Sequence, residues 1–210
     1  MAQERPQGKR SSPSKKKNNK VIIIVEGKTE EEYFKAYKEK DRLYTVRVMK
    51  NRTRTSPLQI VEALVEKKKE EDDPRLKCIA VFDHRKEKGS NTDDDIYHKA
   101  IKLCQEKKFI AITSKPSFEF WFLLHFTETD RSMSAEEAEK ELKEYYRRCL
   151  SKEYKKGGQG TFQDTVQYRE DAIKRAARIW QKKERAKGSY TNVHELIEEL
   201  AVFNGCGGGI

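Results

Sequence analysis

Apolar runs alternate with amphipathic stretches over roughly residues 20–115 of the chain. The run Val21–Val25 is β-branched throughout, which is typical of a strand buried on both faces of a parallel sheet. Three further short runs predict strands at about 44–48, 78–82 and 109–113. Because the stretches between them have helical periodicity, the pattern predicts an α/β fold: a parallel sheet of about four strands with helices on both faces.

Several predicted helices begin with a capping box, in which a Ser or Thr side chain and an acid or amide three residues later each bond the other's backbone N–H. The three clearest pairs are Thr29 with Glu32, Ser56 with Gln59, and Ser134 with Glu137. These residues mark where we expect helices to start.

Beyond the fourth strand the pattern becomes helical. The segment 116–126 is apolar nearly all round, and further helices are predicted over about 134–150, 168–187 and 191–203. The chain should therefore divide into a disordered basic arm over 1–20, an α/β core over 21–126, a helical extension that packs on the core over 127–203, and a flexible tail over 204–210.

Positive charge is concentrated at the start of the chain. The formal net charge is +10, and residues 1–20 hold seven cations and one anion, which leaves +6 in that segment. With almost no large apolar residue, the segment cannot offset the entropy of ordering itself. Such an arm gains affinity for a polyanion by releasing condensed counterions, or it serves only to keep the protein in solution.

Hydropathy and cysteine placement favour a cytoplasmic protein with no membrane partner. The mean hydropathy is −0.97, and no apolar run approaches the ~18 residues of a membrane-spanning helix. The four cysteines are scattered without close pairs, which indicates neither a zinc site nor a disulfide framework. The apolar run after the basic arm has only five residues, too few for a secretory signal.

Two carboxylates follow predicted strands. Glu26 comes directly after the first strand and Asp83 after the third, and functional groups gather at the carboxyl ends of parallel strands. If these strands are neighbours, the two acids repel unless a proton or a divalent cation neutralises them, and Mg²⁺ or Mn²⁺ suits oxygen ligands. The structural alternative is that Glu26 complements a helix dipole and Asp83 caps a turn.

Glu119 is a third acid, set among aromatic and aliphatic residues after the fourth strand. Because a buried unpaired carboxylate is costly, it needs a metal or a lysine as partner. His125 follows on the same apolar segment. It is either a proton carrier or a histidine that packs against Trp121, four residues earlier.

Cations are placed where phosphates are expected. Lys28 stands at a predicted helix start, and Arg52 and Arg54 follow the second strand, at the same sheet edge as the acids. Lys155 and Lys156 follow a tyrosine in a glycine-rich loop, and basic and aromatic residues also mix at 145–148. Exposed tyrosines there would stack on unpaired bases, although solvated loops have the same composition.

Four segments together resemble one known family. They are 21–34, 81–83, 114–126 and 191–196, and Phe-Glu-x-Trp-x-Leu-Leu-His at 118–125 is the most specific. Over about residues 20–200 the chain resembles RloB-like proteins, which have a TOPRIM-type fold and are encoded beside prokaryotic restriction systems. The resemblance implies a TOPRIM-like Rossmannoid sheet and a metal-dependent nuclease for DNA or RNA that acts in phage defence or restriction. It also implies an ATPase or restriction-system companion protein.

By this resemblance, Glu26 matches the TOPRIM glutamate, a metal ligand or general base, and Asp83 matches the first acid of the Asp-x-Asp motif. A later glutamate joins the site in other TOPRIM nucleases, and here that residue is Glu119. The second acid of the motif is replaced by Arg85. His84, or one of the acids at 87 and 93–95, would then supply the missing ligand.

Arg85 leaves two alternatives open. The arginine repels a cation, which weakens or abolishes metal binding, or it grips a phosphate. The first predicts a catalytically degenerate module that binds nucleic acid or a protein partner. The second predicts a nuclease in which Glu26, Asp83 and Glu119 hold Mg²⁺ or Mn²⁺.

Overall fold

The structure is a computed structural model and describes residues 20–43, 45–51, 56–85, 91–182 and 188–203, without the side chains of Asn91, Thr92 and Phe203. The predicted basic arm, except Lys20, and the predicted tail lie outside the described residues. Tyr44, which begins the predicted second strand, also lies outside them.

Five strands form one sheet in the order β2-β1-β3-β4-β5. β1 to β4 are parallel, and β5 is antiparallel to β4. The strands are β1 Val21–Val25, β2 Val46–Lys50, β3 Lys77–Asp83, β4 Ile110–Lys115 and β5 Tyr190–Thr191. The mostly parallel α/β sheet is confirmed, and the first and third strands are neighbours, as the site hypothesis requires.

Eight α-helices are found in the described residues, and they cover both faces of the sheet and form the C-terminal region. They are α1 Lys28–Lys40, α2 Pro57–Glu71, α3 Asn91–Lys107, α4 Glu119–Leu123, α5 Ala135–Tyr145, α6 Thr161–Thr165, α7 Arg169–Lys182 and α8 Val193–Phe203. A π-helical turn, Tyr146–Leu150, continues α5, and a 3₁₀ turn, Val166–Tyr168, precedes α7. No helix in the described ranges is both long and apolar enough to cross a membrane.

Two of the three predicted capping boxes are present. Ser56 and Ser134 each accept from a backbone N–H three residues on, and the return bond is also made. The prediction at Thr29 is wrong, because α1 starts two residues earlier than this cap implies, with Gly27 as N-cap and no side-chain cap. The hydroxyl of Thr29 instead accepts a hydrogen bond from the backbone N–H of Gly157, at 3.1 Å.

Strand β1 contributes to a core on each side of the sheet. Val21, Ile23 and Val25 pack on one face with α1 and α4, whereas Ile22 and Ile24 pack on the other face with α2 and α3. All five are at most 2% exposed. Burial on both faces explains why this strand has no alternation of polar residues.

Candidate functional site

Glu26 and Asp83 meet at the carboxyl edge of the sheet. The backbone N–H of Asp83 donates to Glu26 Oε2 at 3.0 Å, and each residue is 6% exposed. The paired register of β1 and β3 brings the two strand ends to the same level. The expected closeness of these acids is therefore confirmed.

Glu30 is a further acid at this edge, and the sequence analysis did not single it out. It lies in the first turn of α1 and is 4% exposed. Its pKa is raised to about 7, mainly by burial and also by the negative charges of Glu26 and Glu119, against a backbone hydrogen bond that lowers it. The pattern Glu-Gly-Lys-Thr-Glu, with two acids four residues apart around the end of a strand, was the available signal.

Gly27 makes room for the Glu30 carboxylate. A Cβ atom at Gly27 would lie 2.6 Å from Glu30 Oε2, closer than van der Waals contact allows. The backbone of Gly27 is extended, with φ −118°, so other residues can adopt it. The glycine therefore leaves room for the carboxylate in its present position, and the backbone conformation does not call for a glycine.

The site carries more negative charge than its surroundings neutralise. Burial raises the pKa of Asp83 well above its usual range, and the carboxylates of Glu30 and Glu26 raise it again. Burial also raises the pKa of Glu26, although Arg85 opposes the shift. Buried acids with raised pKa values at a sheet edge are the electrostatic signature of a functional site.

Arg85 lies directly on the two acids. Its Nη2 is 2.6 Å from Glu26 Oε1 and 3.4 Å from Asp83 Oδ2. The arginine side chain is 60% exposed, whereas the acids are buried. The position that the Asp-x-Asp pattern assigns to an acid thus holds a cation that is open to solvent.

Glu119, at the start of α4, has three partners although it is only 2% exposed. Ser117 Oγ donates to Oε2 at 2.7 Å, and Tyr154 Oη donates to Oε1 at 3.2 Å. Lys156 Nζ lies 3.2 Å from Oε1. The expectation that this buried carboxylate finds a lysine or a metal is met by Lys156.

The glycine-rich loop brings cations to the acids. Gly157, at φ +65°, packs against the Lys28 side chain, since an added Cβ would lie 3.4 Å from Lys28 Cδ. Lys28, Lys155 and Lys156 are exposed. Arg52 and Arg54, the other predicted phosphate-binding residues, lie outside the described residues.

The two histidines near the acids in sequence have other partners. His125 is 2% exposed and packs edge-to-face on Trp121, with Nδ1 3.0 Å from the Trp121 carbonyl oxygen. Burial lowers the pKa of His125 to about 4. His84 Nε2 lies 2.7 Å from Asp94 Oδ1. His125 therefore packs against Trp121, which is the second of the two alternatives for this residue, and His84 pairs with Asp94.

Most of the tyrosines in the basic segments are not available for stacking. Tyr146 is 1% exposed and Tyr154 is 3% exposed, because both belong to the core beneath α5 and the loop. The expectation that they stack on bases is wrong. Tyr145 is half-buried, with the Arg148 guanidinium 4.6 Å from its ring centroid.

The carboxylates at this edge are the kind of ligand that a hard divalent cation prefers, but their present positions do not form an ion site. Within the part of the chain that the structure describes, no three His, Cys, Asp or Glu side chains are placed to hold an ion. The acids at the edge are all carboxylates, which Mg²⁺ and Mn²⁺ favour. Arg85 stands between Glu26 and Asp83, so an ion requires that the arginine leave.

Comparison with known proteins identifies a family. The family model described as RloB-like protein matches residues 21–200. No curated protein and no solved structure matches the chain. The matched range contains the whole sheet, Glu26, Glu30, Asp83, Arg85 and Glu119. The chain therefore belongs to the RloB-like protein family.

Proposed function

We propose that this protein is a metal-dependent nuclease that hydrolyses phosphodiester bonds of DNA or RNA in phage defence or restriction, in the cytoplasm. One observation carries the proposal: four buried acids, Glu26, Glu30, Asp83 and Glu119, interact electrostatically at one sheet edge. The cations that contact them, Arg85 and Lys156, are both more than half exposed. An ATPase or restriction-system protein is the companion that the family resemblance implies.

Glu26, Asp83 and Glu119 would hold Mg²⁺ or Mn²⁺, with Glu30 as a fourth carboxylate beside them. A bound divalent ion supplies an activated water and stabilises negative charge on a phosphodiester. The buried negative charge favours such an ion, because a cation lowers the repulsion from Glu30 and Glu26 that adds to the effect of burial on the pKa of Asp83.

Arg85 would exchange partners when the ion binds. Its side chain is 60% exposed, so a turn towards solvent would let the guanidinium form two parallel hydrogen bonds to a phosphate. Lys28 and Lys156 would add positive charge around the same phosphate. Glu30 Oε2, with a pKa of about 7, is able to take up or release a proton at neutral pH.

The test is cleavage of plasmid, single-stranded DNA and transfer RNA with Mg²⁺ or Mn²⁺. Loss of a metal ligand should lower the rate at least about 100-fold, so Glu26→Gln should be nearly inactive. Glu62→Gln, an exposed acid on α2, is the matched control and should cleave as wild type. No metal-dependent cleavage by the wild type, or equal cleavage by both Glu variants, would overturn the proposal.

A second candidate is a binding module that keeps the fold without the chemistry. The contact that favours it is the ion pair of Arg85 with Glu26, because a guanidinium in the ligand position opposes a cation. Such a module should bind nucleic acid or a protein partner in the presence of EDTA. The Glu26→Gln variant should also bind that partner. Calorimetric titration with Mn²⁺ separates the two functions, since only the nuclease should bind the ion.

A further inference from the structure

A second concave surface lies on the face of the sheet that carries α3. It is a cavity of about 500 Å³ lined by residues of α3 and β4, by Trp180 on α7 and by Tyr190 on β5. Its volume falls in the range of small-molecule sites. None of the four acids lines it, so the cavity is distinct from the acid edge.

Aromatic rings form much of its wall. The imidazole of His84 stacks on the ring of Tyr97, with centroids 3.8 Å apart and planes 7° from parallel. Trp180 meets Tyr190 edge-to-face at 5.7 Å. His84, Trp180 and Tyr190 are each only half-buried. These partly open ring faces suit a flat heteroaromatic ligand, since such rings gain dispersion and electrostatic energy by stacking.

The wall also holds a hydroxyl that needs a partner. Thr113 lines the cavity and is 2% exposed, and among the described residues its Oγ1 has no hydrogen-bond partner. An unpaired buried hydroxyl is unfavourable, and it can both donate and accept. A ligand with ring nitrogen or carbonyl groups satisfies it, whereas a hydrocarbon chain does not.

His84 links the cavity to the acid edge. It follows Asp83 and precedes Arg85 in the chain, so the first residue beyond the acids is already part of the cavity wall. His84 is held there by Asp94 on Nε2 and by the Tyr190 hydroxyl on Nδ1, each at 2.7 Å. The cavity wall and the acid edge are therefore adjacent in the chain at Asp83 and His84, which makes a ligand that contacts both conceivable for a polymer.

We propose that this cavity binds one unpaired nucleobase of the nucleic acid whose backbone lies at the acid edge. The proposal rests on the proposed function for the phosphate position, and it adds a preference for single-stranded substrate. The net charge of +10 favours a polyanionic ligand. The base stacks against the rings and hydrogen-bonds the Thr113 hydroxyl.

The experiment measures binding of a labelled oligonucleotide and of a duplex of equal length, in EDTA, by fluorescence anisotropy. Trp180→Ala should weaken single-strand binding about tenfold, and Trp180→Phe should restore most of it. Thr113→Val removes only an unpartnered hydroxyl, so it should weaken binding without lowering the thermal midpoint. Arg178→Ala, an exposed residue on the same helix, is the control and should bind as wild type.

Equal single-strand affinity in wild type and Trp180→Ala, or an equal loss for the duplex, would overturn the proposal. Because binding is measured in EDTA, its outcome is separate from hydrolysis. A wild type that cleaves nothing but loses affinity on Trp180→Ala refutes the nuclease and supports the cavity.

Discussion

The Arg85 guanidinium lies 2.6 Å from Glu26 Oε1, so a solvent-exposed cation is paired with a carboxylate that is only 6% exposed. Solvent screens the exposed partner, and ion pairs with one exposed member are weak. This asymmetry makes Arg85 the replaceable member of the pair.

Arg85→Ala should bind Mn²⁺ about tenfold more tightly than wild type, because the cation that competes for Glu26 and Asp83 is removed. Calorimetric titration at pH 7.5 measures the Kd. In EDTA the variant should melt at a lower temperature, since two buried acids lose their partner, and Mn²⁺ should restore the midpoint. Arg178→Ala is the control, and an unchanged or weaker Kd for Arg85→Ala contradicts this account.

Glu30→Gln should change how stability depends on pH. The folded-state pKa of Glu30 is raised from 4.5 to about 7, so its favourable contribution is complete below pH 4.5 and is lost as pH rises through 7. At 1.36 kcal/mol per unit, the loss is about 3 kcal/mol. The variant should therefore gain stability relative to wild type at pH 8 and little at pH 4.5.

Urea unfolding at both pH values measures this difference. Glu31→Gln is the matched control, because Glu31 is the next residue on the same helix and pairs with Lys35 at 2.7 Å. If the stability difference between Glu30→Gln and wild type does not vary with pH, the pKa of Glu30 is not raised in the folded protein.

Gly27→Ala should leave the fold intact and displace the Glu30 carboxylate. Alanine adopts the extended backbone at this position, but its Cβ would lie 2.6 Å from Glu30 Oε2, the end of a flexible side chain. We expect a loss of stability below about 1 kcal/mol and Mn²⁺ binding about tenfold weaker. In a Glu30→Gln background the same glycine change should have little further effect on the ion, and additive effects there argue against the steric link.

Lys155→Ala should reduce the salt dependence of nucleic-acid binding. The side chain is exposed beside Lys156, whose ammonium reaches Glu119. Removing one phosphate contact should lower the slope of log K against log salt by about 0.7 for a single strand. Lys69→Ala, on the exposed face of α2, is the control. An equal slope of log K against log salt for both variants would show that Lys155 does not contact the nucleic acid.

Local patterns predicted the secondary structure well. The uninterrupted run Val21–Val25 predicted a strand buried on both faces, and Ser56 and Ser134 predicted helix starts, because these signals depend on near neighbours in the chain. Strand β5, with only two residues, gave no periodic signal, and its pairing with β4 depends on a contact between distant segments.

The meeting of Glu26 and Asp83 was also predictable, since parallel neighbours end at one edge. The sequence did not identify Glu30 as a site residue, because a glutamate in a first helical turn usually faces solvent. The sequence also left open that Tyr146 and Tyr154 are exposed and stack on bases, although both are buried in the core. Both tyrosines have charged neighbours in the sequence, as exposed residues usually do.

The sequence by itself determined the alternation of β1 to β4 with helices, the net charge and the presence of acids at strand ends, since each follows from short-range pattern or from chain composition. Only the tertiary structure decided that Arg85 turns onto Glu26 and that Lys156 reaches Glu119. It alone decided that Thr113, whose hydroxyl has no partner among the residues that the structure describes, lines an aromatic cavity. The reason is physical: the direction of a side chain depends on packing between segments that are far apart in the chain.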